Sequence, residues 1–274
     1  MGTKGRLRVL GTVSVAGMLV LAGGPAMASG YDAHSPHRYT CTGGDFATMD
    51  LVPIPSGNYE SITVEGACFV PAGAVIRVAE DLKVRAGAVL DAQSAPSTIT
   101  VGDDVTADAG SLLGLGCQPN YVDSKGNPIK TGHPCTVEPD GRSTITVKGD
   151  VKAFGANTVL LNGIKVNGNV TLVGGGGDIP WSIKNNTIKR NLTVRGVTAD
   201  WLGVLFNRIG RNATLTDITV TDPGDPGRLV FVVRNRIGRD LTCTGLAPGV
   251  SGGFFPGEVN TVGRNANGQC ASLV

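Results

Sequence analysis

The chain is poor in the residues on which most enzymes rely. It holds three histidines in 274 residues, with aromatics at 5% and charged residues at 17%. No two cysteines have CxxC spacing and the histidines do not cluster with them as a ligand set, which argues against a zinc site. His34 and His37 lie near the start of the chain, and His133 sits beside Pro134 and Cys135. Material for Ser/His or Cys/His catalysis is therefore thin. Beyond the first 28 residues no run reaches the roughly 20 apolar residues of a spanning helix. Nothing there reads as a long amphipathic helix either. No cofactor, no metal and no membrane association of the processed chain are expected.

The first 28 residues read as a signal peptide. Lys4, Arg6 and Arg8 form a basic start, 9–24 is apolar, and Ala26-Met27-Ala28 is a small-x-small cleavage site. Residues 29–274 are expected to form one domain, secreted and either free or wall-associated. All six cysteines fall in that part: Cys41, Cys68, Cys117, Cys135, Cys243 and Cys270. An even number outside the cytoplasm predicts three disulfides. Chain separation favours Cys41–Cys68, Cys117–Cys135 and Cys243–Cys270, although the spacing alone does not exclude other pairings. Charge is uneven. Residues 29–185 carry 11 Lys+Arg against 16 Asp+Glu, and 186–274 carry 10 against 6.

Glycine is abundant, at 41 residues, and Val, Ile, Leu and Thr alternate with polar residues, the pattern of short strands and turns. Two nonapeptides show the underlying period: NRIGRNATL at 207–215 and NRIGRDLTC at 235–243. With Asn212 and Asp240 as anchors, the pattern recurs at Asp81, Asp104, Asp150, Asn169, Asn191 and Asn265. The spacings are 23, 46, 19, 22, 21, 28 and 25 residues. The long gap holds Cys117–Cys135, read as a disulfide-closed insertion. Three before the anchor (row −3) stand Val78, Val101, Val147, Val166, Ile188, Ile209, Ile237 and Val262. Row +1 is Leu82, Val105, Val151, Val170, Leu192, Ala213, Leu241 and Ala266. A strand-and-turn repeat of this length predicts an all-β, single-stranded parallel β-helix, right-handed, of about nine coils. Adjacent coils lie about 4.8 Å apart.

Two polar rows change character midway. Row −5 begins Ile76, Ile99, Ile145, Ile164 and continues Asn186, Asn207, Asn235, Asn260. It shares the parity of row −3, so a buried asparagine ladder is expected. Row −1 begins Glu80, Asp103, Gly149, Gly168 and continues Arg190, Arg211, Arg239, Arg264. Four arginines one coil apart fit solvated turn residues that pair with local acids. The other reading is a comb for a polyanion such as an acidic polysaccharide, teichoic acid or phosphate-bearing glycan. Nucleic acid is not expected, because the stripe lacks interleaved aromatics.

The best carboxylate pair for glycoside hydrolysis is Asp178 with Asp200, each nine residues after its anchor and close to Trp181 and Trp201, either of which could serve as a sugar platform.

CTGG at 41–44, VPIPSGNYESITVEGACFVPAGAVIRV at 52–78, and NRIGRDLTCTG with PGEVNTVGRNANGQC near the end resemble secreted actinobacterial β-solenoid proteins of uncharacterised function. Those carry repeats of the form N-x-V-G-G-N-L-x-C and close in G-Q-C. The resemblance implies a parallel β-helix and export, and carries over no catalytic residues. This chain departs from it where Arg190, Arg211, Arg239 and Arg264 replace the family's usual glycine. The expected function is a non-catalytic envelope or extracellular protein, structural or binding an anionic glycan. The alternative is a polysaccharide lyase or glycoside hydrolase on the same fold.

Overall fold

The computed structural model describes residues 36–122, 124, 128–222, 229–253 and 259–274; the expected signal peptide lies outside them. Among the described residues there is no helix. Strands form a 19-stranded sheet, a nine-stranded sheet and a two-stranded ribbon. Except in the ribbon, strand pairs are parallel and join one turn of chain to the next. The chain is a β-solenoid of about ten turns.

The repeat rows are the rows of the solenoid. Val78, Val101, Val147, Val166, Ile188, Ile209, Ile237 and Val262 pair in unbroken succession. All but the terminal Val262 are buried. Row +1 pairs likewise from Leu82 to Ala266. The large sheet therefore bends at the anchors into two strips. The nine-stranded sheet closes the third side and sends Leu90, Leu113, Val159, Trp181 and Leu202 into the same core. Each fully buried Val, Ile or Leu contributes about 1.5–3 kcal/mol. One coil alone has nothing to bury it against, so the array is the cooperative unit.

One coil escapes the anchor pattern. Gly57–Val64 pairs through Tyr59 with Val78 and through Ile62 with Leu82. Tyrosine takes the valine position and the turn is one residue shorter. A further strand, His37–Cys41, caps it.

The corners explain the polar rows. Leaving the nine-stranded sheet, early coils use wide corners (70–74 and 93–97), with Ile76 and Ile99 packed just beyond. Later coils turn in two residues: Asn185-Asn186, Phe206-Asn207 and Arg234-Asn235. The first residue of each pair is left-handed, with φ of 60°, 59° and 50°. The asparagine that follows fills the bend. Gly163-Ile164 is the transition, equally tight (Gly163 φ 71°) but still with isoleucine.

The disulfides join Cys41 to Cys68, Cys117 to Cys135 and Cys243 to Cys270. The first ties the N-terminal cap and the last ties the final coils. The middle one closes a loop that replaces a corner between Leu112–Leu115 and Thr144–Val147 and carries the ribbon Tyr121–Val122 with Pro128–Lys130. Such bonds form in an oxidising environment. Among the described residues no helix is long and apolar enough to cross a membrane.

Candidate functional site

The motif N-R-I-G-R assigns each side chain by the alternation of a strand. In 207–211, Asn207 and Ile209 point inward and are buried, while Arg208 and Arg211 are exposed. The next coil repeats this with Asn235, Arg236, Ile237 and Arg239. The motif thus builds both sides of the strip at once.

On the inner side, the Ile164 N–H donates to Asn186 Oδ1 (3.0 Å), Asn186 N–H to Asn207 Oδ1 (3.0 Å), Asn207 N–H to Asn235 Oδ1 (2.9 Å) and Asn235 N–H to Asn260 Oδ1 (2.9 Å). Each Nδ2 donates to a carbonyl of the preceding coil: Leu161, Ile183, Val204 and Val232, at 2.8–2.9 Å. Each amide of the row is engaged at both ends, which is what makes four buried asparagines tolerable.

A second ladder runs along the anchors themselves. The backbone N–H of each anchor donates to the side-chain oxygen of the anchor one coil earlier, from Asp104 on Asp81 (3.0 Å) to Asn265 on Asp240 (3.1 Å). Sequence reading treated the anchor only as a turn. The signal was present, since all eight anchors are Asp or Asn and both can accept this bond. The two ladders lean in opposite directions along the axis.

On the outer side, Arg190, Arg211, Arg239 and Arg264 are exposed, and their backbones bond coil to coil at 3.0 Å from Arg211 onward. Among the described residues no carboxylate lies within 4.0 Å of any of them, Asp240 included. The expected pairing with local acids is therefore not formed. A parallel row, not foreseen from sequence, adds Arg208 and Arg236 in direct register at position −4. Lys189 is exposed at position −2. Seven cations thus share this edge of the last four coils. Like charges one coil apart repel, and a bound anion would relieve them.

In the N-terminal coils Lys152, Lys83 and Arg38 do find carboxylates, while Arg77, Arg85, Lys148 and Lys165 do not among the described residues. Lys152 Nζ lies 2.6 Å from Asp104 and 3.3 Å from Asp150, Lys83 lies 3.4 Å from Asp108, and Arg38 lies 3.1 Å from Glu60. Burial alone would raise the Asp150 carboxyl. Hydrogen bonds from Asn169 and Lys152 outweigh it and hold the group below the usual carboxylate range. The Asp104 contact raises Lys152.

The Cys117–Cys135 loop folds over the outer surface of the nine-stranded sheet. Gln118 and His133 exchange backbone hydrogen bonds, and the Gln93 and His133 side chains meet. Burial, then Lys184, pushes His133 below its ordinary range, with Asp91 opposing. Burial also lowers the ammonium of Lys184. Lys184 pairs in register with Asn162, whose buried amide has no hydrogen-bond partner among the described residues.

Asp200 lies in a backbone stack between Gly177 and Asp222, and Asp178 follows Gly177 on the neighbouring coil. Of the two tryptophans, Trp181 cannot make the expected platform. Trp181 is fully buried, its indole N–H donating to the Asn157 carbonyl at 2.9 Å. Trp201 stacks on Phe231 with centroids 5.7 Å apart. Trp181 faces inward because the nine-stranded sheet alternates and its position has core parity. Among the described residues no group of three or more His, Cys, Asp or Glu is placed to hold a metal ion.

No family model, no curated protein and no solved structure matches the chain.

Proposed function

We propose that the protein is an exported, non-catalytic solenoid that binds an anionic glycan along the arginine edge of its last four coils. The carrying observation is that Arg190, Arg208, Arg211, Arg236, Arg239 and Arg264 stand in two registered rows without a carboxylate partner among the described residues. Elsewhere on the solenoid Arg38, Lys83 and Lys152 are paired with carboxylates, and no comparable registered run of unpaired arginines occurs among the described residues. An extended polymer with regularly spaced negative charge meets such rows at successive coils, and forked guanidinium hydrogen bonds suit carboxylate or phosphate equally. Rigid coils present the charges already ordered, which lowers the entropy lost on binding. The three disulfides suit a protein working outside the reducing cytoplasm.

The test is retention on immobilised acidic polysaccharide across a salt gradient, with the doubly substituted Arg211→Ala, Arg239→Ala chain beside the parent. Loss of roughly tenfold in affinity is expected, with a shallower salt dependence. Equal retention of both chains overturns the reading, as does release of unsaturated or reducing sugar from the polymer.

A further inference from the structure

Next to the two arginine rows the tight corner opens into a groove of about 360 Å³, lined by Phe206, Arg208, Arg234, Arg236, Val259 and Thr261. The volume is at the small end of ligand sites, the size of one or two sugar rings. Its floor is rigid, because the side chains of Asn207 and Asn235 beneath it are engaged in the buried ladder. Arg208 and Arg236 stand one coil apart in its lining, exposed and without an acid partner among the described residues. The same lining includes the half-buried Phe206 and Val259, the latter 54% exposed.

The backbone at this corner is held against its preference. Phe206 and Arg234 have φ of 59° and 50°, where the earliest tight corner has Gly163 at 71°. The left-handed region disfavours bulky residues by about 1–2 kcal/mol. Phe206 packs against the apolar cluster of Leu205, Phe231 and Val233 on the outside of the nine-stranded sheet, and its remaining exposed part lines the groove. The corner is also clamped from outside. Asn185 donates to the Thr131 carbonyl at 2.8 Å and Arg234 to that of Ile129, so the disulfide-closed loop is fastened on both coil neighbours of Phe206.

Cations alone would suffice for a phosphate polymer. A lining that combines a pair of cations with an aromatic and an aliphatic side chain matches a ring that has an apolar C–H face and one carboxylate. We infer that this groove is a subsite for the uronic-acid units of an acidic polysaccharide, with the sugar carboxylate between Arg208 and Arg236 and its C–H face on Phe206. The inference rests on the proposed polyanion edge for the rest of the polymer and gives that edge its selectivity.

The experiment titrates the chain with short oligogalacturonate and, separately, with linear polyphosphate at low salt. Phe206→Gly suits the left-handed backbone, and its melting temperature is checked against the parent. The substitution is expected to lower oligogalacturonate affinity roughly threefold to tenfold and to leave polyphosphate affinity unchanged. Arg236→Gln is expected to weaken both. An equal effect of Phe206→Gly on both ligands, no effect on either, or tighter binding of polyphosphate than of oligogalacturonate by the parent overturns the uronate subsite. Arg211→Ala, Arg239→Ala reports separately. If it changes neither ligand, the polyanion edge fails, whatever Phe206→Gly does.

Discussion

The N-terminal and C-terminal coils share one backbone path yet apply two different side-chain programmes to it. Position −5 is isoleucine in the wide-cornered coils and at the first tight corner, Ile164, and asparagine at 186, 207, 235 and 260, and every one of these residues is buried. Position −1 passes from Glu80 and Asp103 through two glycines to four arginines. The early coils pair some of their cations, as Lys152 does with Asp104 and Asp150. The late coils leave six arginines without a carboxylate partner among the described residues. The lesson is that the described asparagine corners are all tight, with Ile164 the one isoleucine retained in a tight bend. A wide corner leaves room for apolar packing, whereas a two-residue bend leaves backbone N–H and C=O groups that only an amide can reach from inside. The outer programme is free of this constraint, since exposed turn positions accept either sign of charge. A bias maintained over four coils therefore speaks of use rather than folding.

Exchanging the inner programmes should have the largest effect. Asn235→Ile orphans the Asn207 N–H and the Val204 carbonyl, both buried, and should lower stability by about 3 kcal/mol or more in urea denaturation. Ile145→Asn should be comparably harmful, because a wide corner has no partners for the amide. If both exchanges are neutral, corner length does not explain the row.

The outer rows come next, through binding rather than stability. Arg211→Ala, Arg239→Ala should cost roughly tenfold in affinity for acidic polysaccharide and move the melting temperature little. Arg77→Ala, on the same face among the early coils, should change neither.

Lys184→Met should raise stability by about 1 kcal/mol, because burial disfavours the ammonium and no ion pair compensates among the described residues. For the same reason, the destabilisation by Lys184 in the parent should fade as pH rises toward the ordinary lysine range.

The smallest effect concerns His133. Its folded-state affinity for a proton is reduced, so the unfolded chain takes the proton first as pH falls. The stability tied to neutral His133 is full above the ordinary histidine range and is lost as pH drops through it. Thermal midpoints at neutral and mildly acid pH should diverge in the parent and converge in His133→Gln.

Much of this comparison was legible in the sequence. Rows −3 and +1 could be read because β-branched and aliphatic residues recur wherever a strand meets the core. The asparagine row could be read because its parity matched that of its hydrophobic neighbours. Tyr59 hid one coil, since an aromatic in a valine position and a shortened turn break the register together. The anchor ladder was visible as Asp or Asn at eight places, but its meaning depends on a backbone N–H one coil away, which no local pattern displays. Arg208 and Arg236 were passed over because their row is mixed elsewhere, with Thr187 and Thr261 on adjoining coils. The groove could not be foreseen at all. It depends on a left-handed phenylalanine and on a loop fastened far from its place in the chain.

The central claim is that the unpaired arginine rows of the last four coils are the binding edge. Dicarbonyl labelling of arginines, read by peptide mass spectrometry with and without oligogalacturonate, tests it most directly. The account predicts that the ligand protects Arg190, Arg208, Arg211, Arg236, Arg239 and Arg264 and leaves Arg38, Arg77 and Arg85 reactive. Protection spread evenly over both groups, or confined to the early coils, would contradict it.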